Sequence, residues 1–305
     1  MNSRYIEYFN SKYLDFLKSN DLEVAVTEKG VKKRKKFYPI LQRFIPLFNP
    51  YKLTIVRKIP APKDEPVIYT PTHGFKDDLL NTLIIIDDHV YTLFGSLDQF
   101  FKTIDGTLAN IIGVVIVDRD CHESRAVSIP KMERAMNFGT NGLIFPEGAW
   151  NLTDNELVMK LYRGFYKLAQ ATNAKIVPVA THIVGNKCYG IQDEAINILQ
   201  YNEEEAKIVL RDKLSTIKRE LIENYSDYSN ISREELEKEK SLKEQWEDHK
   251  IYLKSQPEYY IEEKEINYPY VDKNIVTEEK VFSALDNVKI TKQNARILAK
   301  TYSKK

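Results

Sequence analysis

The chain has 305 residues, of which 43% are hydrophobic and 29% charged, and 45 Lys and Arg residues against 44 Asp and Glu residues give a formal net charge of +1. This balance excludes a dedicated nucleic-acid binder, because such proteins take most of their affinity from a basic excess that neutralises phosphates. The aromatic and aliphatic content excludes disorder throughout, and at about 150 residues per domain the length predicts about two domains, or one domain with an extension.

The cysteines and the length of the apolar runs indicate the expected cellular compartment and whether a membrane-spanning segment is present. The two cysteines, Cys121 and Cys188, cannot form a disulfide framework, and neither lies in a CxxC pair, so a reducing cytoplasm is expected. The N-terminus lacks the basic-then-apolar layout of a secretory signal. The longest apolar runs, at 83–86 and 111–117, are shorter than the about 18 residues that cross a bilayer, so no membrane-spanning segment is expected.

In residues 1–52, charged residues mix with apolar residues at helical spacing, and this pattern predicts an amphipathic helical segment at the N-terminus. Its most apolar part runs from Phe37 to Phe48 and consists of aromatic and aliphatic residues broken by prolines and one Arg. Two interpretations are compatible with each other. The cluster either packs as a cover over the domain behind it, or lies along a membrane interface while Arg43 and Lys52 reach towards headgroups.

Residues 53–199 alternate short apolar runs with helical segments. This alternation predicts an α/β layered domain in which helices flank a mostly parallel central sheet. Strands are predicted at 67–70, 91–94, 111–117, 142–145 and 175–183, and helices at 78–88, 123–138 and 160–172. The order of the strands in the sheet stays open.

Residues 200–305 form a third region, rich in Lys and Glu. The charge pattern predicts a mainly helical C-terminal extension with a solvated face. Beyond Pro257 the chain becomes rich in Tyr and turn residues, and a further helix is predicted at 281–300.

The first motif with chemical content follows the strand at 67–70. His73 closes that strand, and Asp78 comes after four intervening residues, at the start of the next helix. This spacing lets the chain turn back so that the carboxylate meets one imidazole nitrogen, and the other nitrogen can then accept a proton as a general base. Taken alone, the pattern also fits an N-capping Asp beside an unrelated His.

A second motif begins at Gly113 and ends at Arg119, so that a buried strand delivers an Arg at its end. The planar guanidinium has a permanent charge and a fork of donors suited to phosphate. The alternative is a structural ion pair with Asp118, Asp120 or Glu123.

The third motif is Phe145-Pro146-Glu147-Gly148. Proline ends the pairing of the strand, Gly148 lets backbone approach a ligand closely, and Glu147 is expected to point into the space beyond the sheet. A turn without a function is the alternative.

Taken in order, these three motifs and the later Ile176-Val177-Pro178-Val179 resemble the four sequence blocks of the glycerolipid acyltransferase family. The best-known members of that family are the 1-acylglycerol-3-phosphate acyltransferases. The resemblance covers about 67–183 and includes the pair Arg163-Gly164.

The resemblance implies transfer of an acyl group from acyl-CoA or acyl-carrier protein to a hydroxyl of a phosphorylated lipid or glycolipid, with no cofactor and no metal. It makes His73 the base and Asp78 the group that orients its ring. Arg119 would meet the acceptor phosphate, and Pro178 would belong to a strand that flanks the acyl channel. The implied substrate-binding residues are Gly113, Arg119, Glu147, Gly148, Arg163 and Pro178. Lipid substrates further imply a peripheral protein on the cytoplasmic face of the membrane.

The sequence departs from the family pattern at two places. Thr72 stands where many members have Asn, and Ala149-Trp150 stands where the family usually has Thr or Ser followed by Arg. A dianionic phosphate normally takes more than one donor group, so the missing Arg weakens the case for a simple lysophosphatidate acceptor. Arg163 or Lys160 is a candidate substitute for that cation. The long charged C-terminal region is a candidate for selecting an unusual acceptor, such as a phospho-sugar or a cell-surface glycopolymer precursor.

The expected mechanism is direct attack by the acceptor hydroxyl, without an acyl-enzyme. No base is visibly paired with Cys121 or Ser124, so both are predicted to be structural. The remaining histidines without a catalytic neighbour are also predicted to be structural: His89, His182 and His249.

Two other functions stay open from the sequence. One is a non-enzymatic protein that binds lipid or acyl chains, because a fold alone does not give a function. The other is a metal-dependent hydrolase that uses His73, Asp78 and His122.

Overall fold

The structure is a computed structural model that describes residues 18–74, 78–95, 104–151, 156–225 and 251. Within these residues the chain forms a seven-stranded sheet in the order β1-β7-β6-β2-β5-β3-β4. The strands are β1 (Lys52–Lys58), β2 (Val67–Pro71), β3 (Val90–Phe94), β4 (Val114–Ile116), β5 (Asn141–Leu143), β6 (Lys175–Val184) and β7 (Lys187–Gln192).

Most of the sheet is parallel, as predicted from the sequence. Strands β6, β2, β5, β3 and β4 run in one direction. Strand β7 is antiparallel to β6, and β1 runs parallel to β7 at the edge. The two-residue turn between β6 and β7 is Gly185-Asn186, and Gly185 has φ 58°. A positive φ in such a tight hairpin turn favours glycine.

Helices cover both faces of the sheet. They are α1 (Leu22–Ala25), α2 (Glu28–Phe44), α3 (Asp78–Ile86), α4 (Ile104–Ile112), α5 (His122–Asn137), α6 (Gly164–Thr172) and α7 (Glu203–Tyr225), with 3-10 turns at Ile45–Phe48 and Ile198–Gln200. Neighbouring residues of β2 point to opposite faces, so Ile68 packs in one apolar cluster and Tyr69 in another. The first cluster contains side chains of α5, α6 and α7, and the second contains side chains of α2, α3 and α4.

Two predicted elements begin several residues later in the structure than in the prediction. The strand predicted at 111–117 begins at Val114, because Ile111 and Ile112 end helix α4 and Gly113 turns the chain with φ 141°. The helix predicted at 160–172 begins at Gly164. The residues before it are held in a loop, where the Tyr162 N–H donates to the Pro146 carbonyl at 2.8 Å. Helix α4 and strands β1 and β7 had not been predicted.

Within the helical segment predicted at 1–52, the structure has α2, which begins after the Thr27 cap and contains Pro39, while residues 1–17 lie outside the described residues. The C-terminal extension is described as far as α7, which packs against β6. The helix predicted at 281–300 lies outside the described residues. The domain boundaries near 52 and 199 stay predictions. No helix within the described ranges has the length and apolar character to span a membrane.

Candidate active site

The three motifs meet at the carboxyl ends of neighbouring parallel strands. His73 follows β2, Glu147 and Gly148 follow β5, and Arg119 follows β4. In open α/β sheets this edge is where ligands bind. The parallel pairing of β2 with β5 therefore brings together residues that are far apart in the sequence.

His73 and Asp78 form a hydrogen-bonded pair. Nδ1 of His73 lies 3.0 Å from Oδ2 of Asp78, the first residue of α3, and the two side chains are 16% and 5% exposed. The ring stacks on Phe145 with centroids 4.3 Å apart, and Trp150 meets it edge-on at 6.4 Å. A carboxylate at Nδ1 favours the tautomer with its proton there, so that Nε2 carries the lone pair.

Glu147 fixes the backbone of His73. Its side chain is buried, at 1% exposure, and Oε1 accepts the His73 N–H at 2.7 Å while Oε2 accepts the Met159 N–H at 2.8 Å. On the other side, the Asn151 N–H donates to the His73 carbonyl at 2.6 Å. The carboxylate therefore turns inward. This differs from the sequence-based prediction, in which it points into the space beyond the sheet.

Arg119 connects the second motif to the third. Its Nη2 donates to the Gly148 carbonyl at 2.9 Å, and its side chain is exposed. The guanidinium lies directly over Gly95, where an added Cβ would come within 2.3 Å of Nε. Gly148 has φ 66° and lies under the ring of Tyr162. Arg119 thus contacts the residue that follows Glu147, and this contact links the end of β4 to the turn after β5.

Three predicted binding residues lie away from this cluster. Gly113 is at the amino end of β4, where it packs against the ring of Tyr91. Pro178 pairs with Thr70 inside the sheet and is buried. Arg163 is exposed at the start of α6, and its charge acts on Glu203 of α7. Their roles in substrate binding stay predictions.

Several residues of the site were missed by the sequence analysis. Gly95, Asn151 and Tyr162 do not belong to any of the motifs, and each reaches the site through backbone or close packing rather than through a charged side chain. Gly95 directly follows β3, and this position at the carboxyl end of a strand is the sequence feature that could have indicated its place in the site.

The residues predicted to be structural have structural contacts where they are described. Ser124 Oγ accepts the Asp118 N–H at 3.0 Å, and Cys121 Sγ donates to Glu123 at 3.2 Å. Burial lowers the pKa of His182 well below its usual range. His249 lies outside the described residues.

His89 is held far from this site, and burial lowers its pKa to about 4. His122 is exposed at the start of α5. Within the described ranges, His, Cys, Asp and Glu side chains do not gather in groups of three or more that could hold a metal ion.

Comparison with known proteins gives a family for the central region. Residues 52–182 match the family model described as Acyltransferase. Among curated proteins there is no match to this chain. Among solved structures, the chain is similar to the 1-acyl-sn-glycerophosphate (LPA) acyltransferase PlsC from Thermotoga maritima, with 13% sequence identity and a TM-score of 0.47, over 70% of this chain and 95% of that one. The match at 52–182 spans all three motifs and names the kind of enzyme, an acyltransferase, that these motifs resemble.

Proposed function

We propose that the protein transfers a fatty acyl group from an acyl thioester to a hydroxyl of a phosphorylated lipid or glycolipid, with His73 as the general base. The observation that carries the proposal is the 3.0 Å contact between Nδ1 of His73 and Oδ2 of Asp78. A base of this kind contributes about 10²- to 10⁴-fold to a rate when it is positioned against the proton that it removes.

The reaction requires one proton to move twice. The acceptor hydroxyl gives its proton to Nε2 of His73 while its oxygen attacks the thioester carbonyl carbon. The C–S bond then breaks, and the leaving thiolate takes the proton back from the imidazolium. Asp78 stabilises the imidazolium that forms between these steps, because its carboxylate faces Nδ1–H. The donor is acyl-CoA or acyl-carrier protein, and no cofactor or metal takes part.

Backbone N–H groups near the histidine are the candidate donors to the oxyanion that develops on the carbonyl. The Gly148 N–H already donates to the Phe145 carbonyl at 3.0 Å. We therefore assign the role to the backbone at Gly74, next to the base. One such donor typically contributes about 3 kcal/mol to the stability of the transition state.

We propose that the acceptor binds where the cation of Arg119 lies near aromatic side chains. We propose that Arg119 meets the acceptor phosphate, since its fork of donors matches phosphate oxygens. Trp150 occupies the position where the family usually has an Arg, and the exposed ring of Tyr162 covers Gly148. This composition suits an acceptor whose headgroup offers a phosphate together with an apolar or sugar face. Arg163 and Lys160 remain candidate second cations.

An exposed face of α2 combines apolar and basic side chains and supports the proposal that the protein binds a membrane surface. By helical spacing, Lys33 and Lys36 share a face with Phe37, Ile40 and Phe44, and all five are exposed. Leu47 and Phe48 of the following turn continue the apolar patch, and Leu47 is 77% exposed. An apolar face beside basic side chains fits the headgroup region of an anionic bilayer. We propose this face as the docking surface for the membrane that holds the acceptor.

Thiol release tests the reaction. Purified protein is mixed with acyl-CoA and a panel of lysophospholipids and phosphorylated glycolipids, and free CoA and the acylated product are both measured. We expect His73→Gln to lose at least about 10²-fold in kcat. His122→Gln, an exposed histidine on α5, is the matched control and should match wild type. Turnover by His73→Gln equal to wild type would overturn the role of the base, and lipid binding without any turnover would favour the non-enzymatic alternative.

Vesicle sedimentation tests the docking surface. We expect Phe44→Asp with Leu47→Asp to release the protein from vesicles that contain phosphatidylglycerol. Ile208→Asp, on the exposed side of α7 at 61% exposure, is the control and should stay bound. Equal binding of all three proteins would remove α2 as the membrane contact.

A further inference from the structure

An arginine on α7 contacts the loop that leads from the active site into α6. Arg211 donates from Nε to the Val158 carbonyl at 2.9 Å, and its Nη2 lies 3.2 Å from Oε2 of Glu156. Both partners belong to the loop at 156–162, which ends just before α6. Arg211 itself lies beyond residues 52–182, which match the family model. One guanidinium therefore joins the C-terminal region to this loop through two of its donors.

The same loop is bonded to the backbone of His73 through two other residues. The Met159 N–H donates to Oε2 of Glu147 at 2.8 Å, and Oε1 of that carboxylate accepts the His73 N–H at 2.7 Å. The second connection passes through Asn151. Its side-chain amide donates to the Glu156 carbonyl at 3.0 Å, and its N–H donates to the His73 carbonyl at 2.6 Å. The position of the loop therefore bears on both backbone groups of His73.

One peptide group connects Arg211 to this network. The Val158 carbonyl, which accepts from Arg211, and the Met159 N–H, which donates to Glu147, belong to the same planar peptide unit. The two groups point in opposite directions, so a donor that holds the oxygen from the side of α7 also aims the N–H at the carboxylate. A hydrogen bond at the carbonyl further polarises the peptide and strengthens its N–H as a donor.

The two contacts of Arg211 differ in their surroundings. The side chains of Arg211 and Glu156 are 45% and 26% exposed, and an ion pair in such a setting contributes little because water screens it. Val158 is only 1% exposed, and a buried carbonyl that loses its donor is costly. The hydrogen bond to the Val158 carbonyl is therefore the contact that we expect to hold the loop.

We infer that Arg211 is a positioning residue of the active site, which holds the peptide between Val158 and Met159 so that Glu147 keeps the backbone of His73 in place. A displacement of about 1 Å at a reacting group can lower a rate by about 10²-fold, so a shift of this loop would reach the reaction. The inference rests on the proposed function of His73, but the state of the loop is measurable without substrate.

The test is amide hydrogen exchange, measured by NMR on the resting full-length protein. Arg211→Met removes both contacts and keeps much of the aliphatic side chain. We expect the amides of Met159 and His73 to exchange at least about tenfold faster, because the loop opens more often. The Ile144 amide, which donates to the Tyr69 carbonyl at 3.0 Å within the sheet, is the internal reference and should change by less than about twofold.

Arg219→Met is the matched control on the same helix. Arg219 pairs with Glu223 one turn further along α7, with Nε 3.8 Å from Oε1, and 53% of its side chain is exposed. The loop amides of this variant should exchange within about twofold of wild type, because an exposed pair within one helix contributes little.

Activity supplies a second, independent readout. Arg211→Met should lower kcat about tenfold while KM for the acyl thioester changes by less than about threefold, because the base is displaced and the donor contacts are not. Arg211→Lys keeps one charged donor for the Val158 carbonyl and should recover most of the lost kcat. Glu156→Gln removes only the ion pair and should lose less than Arg211→Met. If wild type does not turn over, the proposed function fails while amide exchange still decides the role of Arg211.

Unchanged exchange at Met159 and His73 in folded Arg211→Met would overturn the inference. A rise of equal size at Ile144 would also overturn it, since Arg211 would then stabilise the whole fold and not the loop. An equal loss of kcat in Glu156→Gln would contradict the role of the Val158 carbonyl. Should Arg211→Met not fold, Arg211→Gln takes its place, and loss of the fold in both variants would count against the inference.

Discussion

At the carboxyl end of β2, His73 lies against the carboxylate of Asp78, whereas before β3 His89 lies against the Ile112 carbonyl at 2.9 Å and the Thr140 hydroxyl at 2.8 Å. A carboxylate stabilises an imidazolium, whereas at His89 burial lowers the pKa of the ring and outweighs the Ile112 carbonyl, which acts in the opposite direction. His73 is also more exposed than His89. The two histidines therefore differ in the partner of the ring and in burial, and these two features distinguish the proposed base, His73, from the buried His89.

The carboxylate of Asp88 precedes His89 in the chain, but it accepts hydrogen bonds from other residues. Asp88 Oδ2 accepts the Tyr69 hydroxyl at 2.9 Å and the Asn141 amide at 2.6 Å. Asp88 therefore ties β2 to β5 at the amino ends of the strands. An Asp and a His thus stand at each end of the sheet, where one pair is the proposed proton-transfer pair and the Asp of the other joins two strands.

The largest expected effect tests the role of the carboxylate at the site. Asp78→Asn should lower kcat by about 10²-fold or more, because the amide neither stabilises the imidazolium nor fixes the tautomer. Asp88→Asn is the matched change at the other end of the sheet, and it should leave kcat within about threefold while lowering the melting temperature. The measurements are turnover with acyl-CoA and thermal unfolding. A similar loss of kcat in both variants would erase the distinction between the two ends.

The second prediction concerns the stability of the fold at acid pH. His89 has a folded-state pKa of about 4 against an ordinary value of 6.5, so the unfolded chain binds the proton first as the pH falls. The contribution of neutral His89 is complete above pH 6.5 and is lost between pH 6.5 and 4, by up to about 3 kcal/mol. Denaturant unfolding from pH 7 to 4 measures it. His89→Gln should show a flatter dependence on pH, and a slope equal to that of wild type would contradict the assignment.

The smallest expected effect concerns the space over Gly95. Gly95→Ala would place a Cβ within 2.3 Å of Nε of Arg119, so the guanidinium must move away from the acceptor phosphate. We expect KM for the acceptor to rise about tenfold, with kcat changed less, because a displaced phosphate contact weakens binding. Gly164→Ala is the control, since its Cβ meets only the Ile129 side chain at 3.9 Å. Steady-state kinetics with varied acceptor would separate the two variants.

The sequence was sufficient for the features that depend on local pattern. It predicted the α/β class, the parallel strands around β2 and β5, and the spacing that places His73 against Asp78. Helix α4 was missed because its last residues, Ile111 and Ile112, continue directly into an apolar strand, and only Gly113 marks the break. Strand β7 was missed although Gly185 and Asn186 offered a hairpin signal.

Long-range contacts were beyond the sequence for a different reason. The inward turn of Glu147 depends on where the Met159 N–H comes to lie, and the hydrogen bond from Lys218 to the Thr181 carbonyl depends on how α7 packs on β6. Neither can be read from spacing, because each joins segments whose relative position is set by the whole sheet. A motif identifies which residues gather at a site but not which way each side chain faces.

Strand β1 joins the sheet through β7, and β7 lies beyond residue 182, where the family match ends. Helix α7 then buries Leu210, Leu214 and Leu221 at about 1.5–3 kcal/mol for each side chain. A fragment cut at residue 182 would leave β1 without its neighbour and one face of β6 open to water. We therefore expect the cooperatively folding unit to extend at least to Tyr225. A shorter fragment would have an incomplete sheet, whose unpaired strand edge favours aggregation.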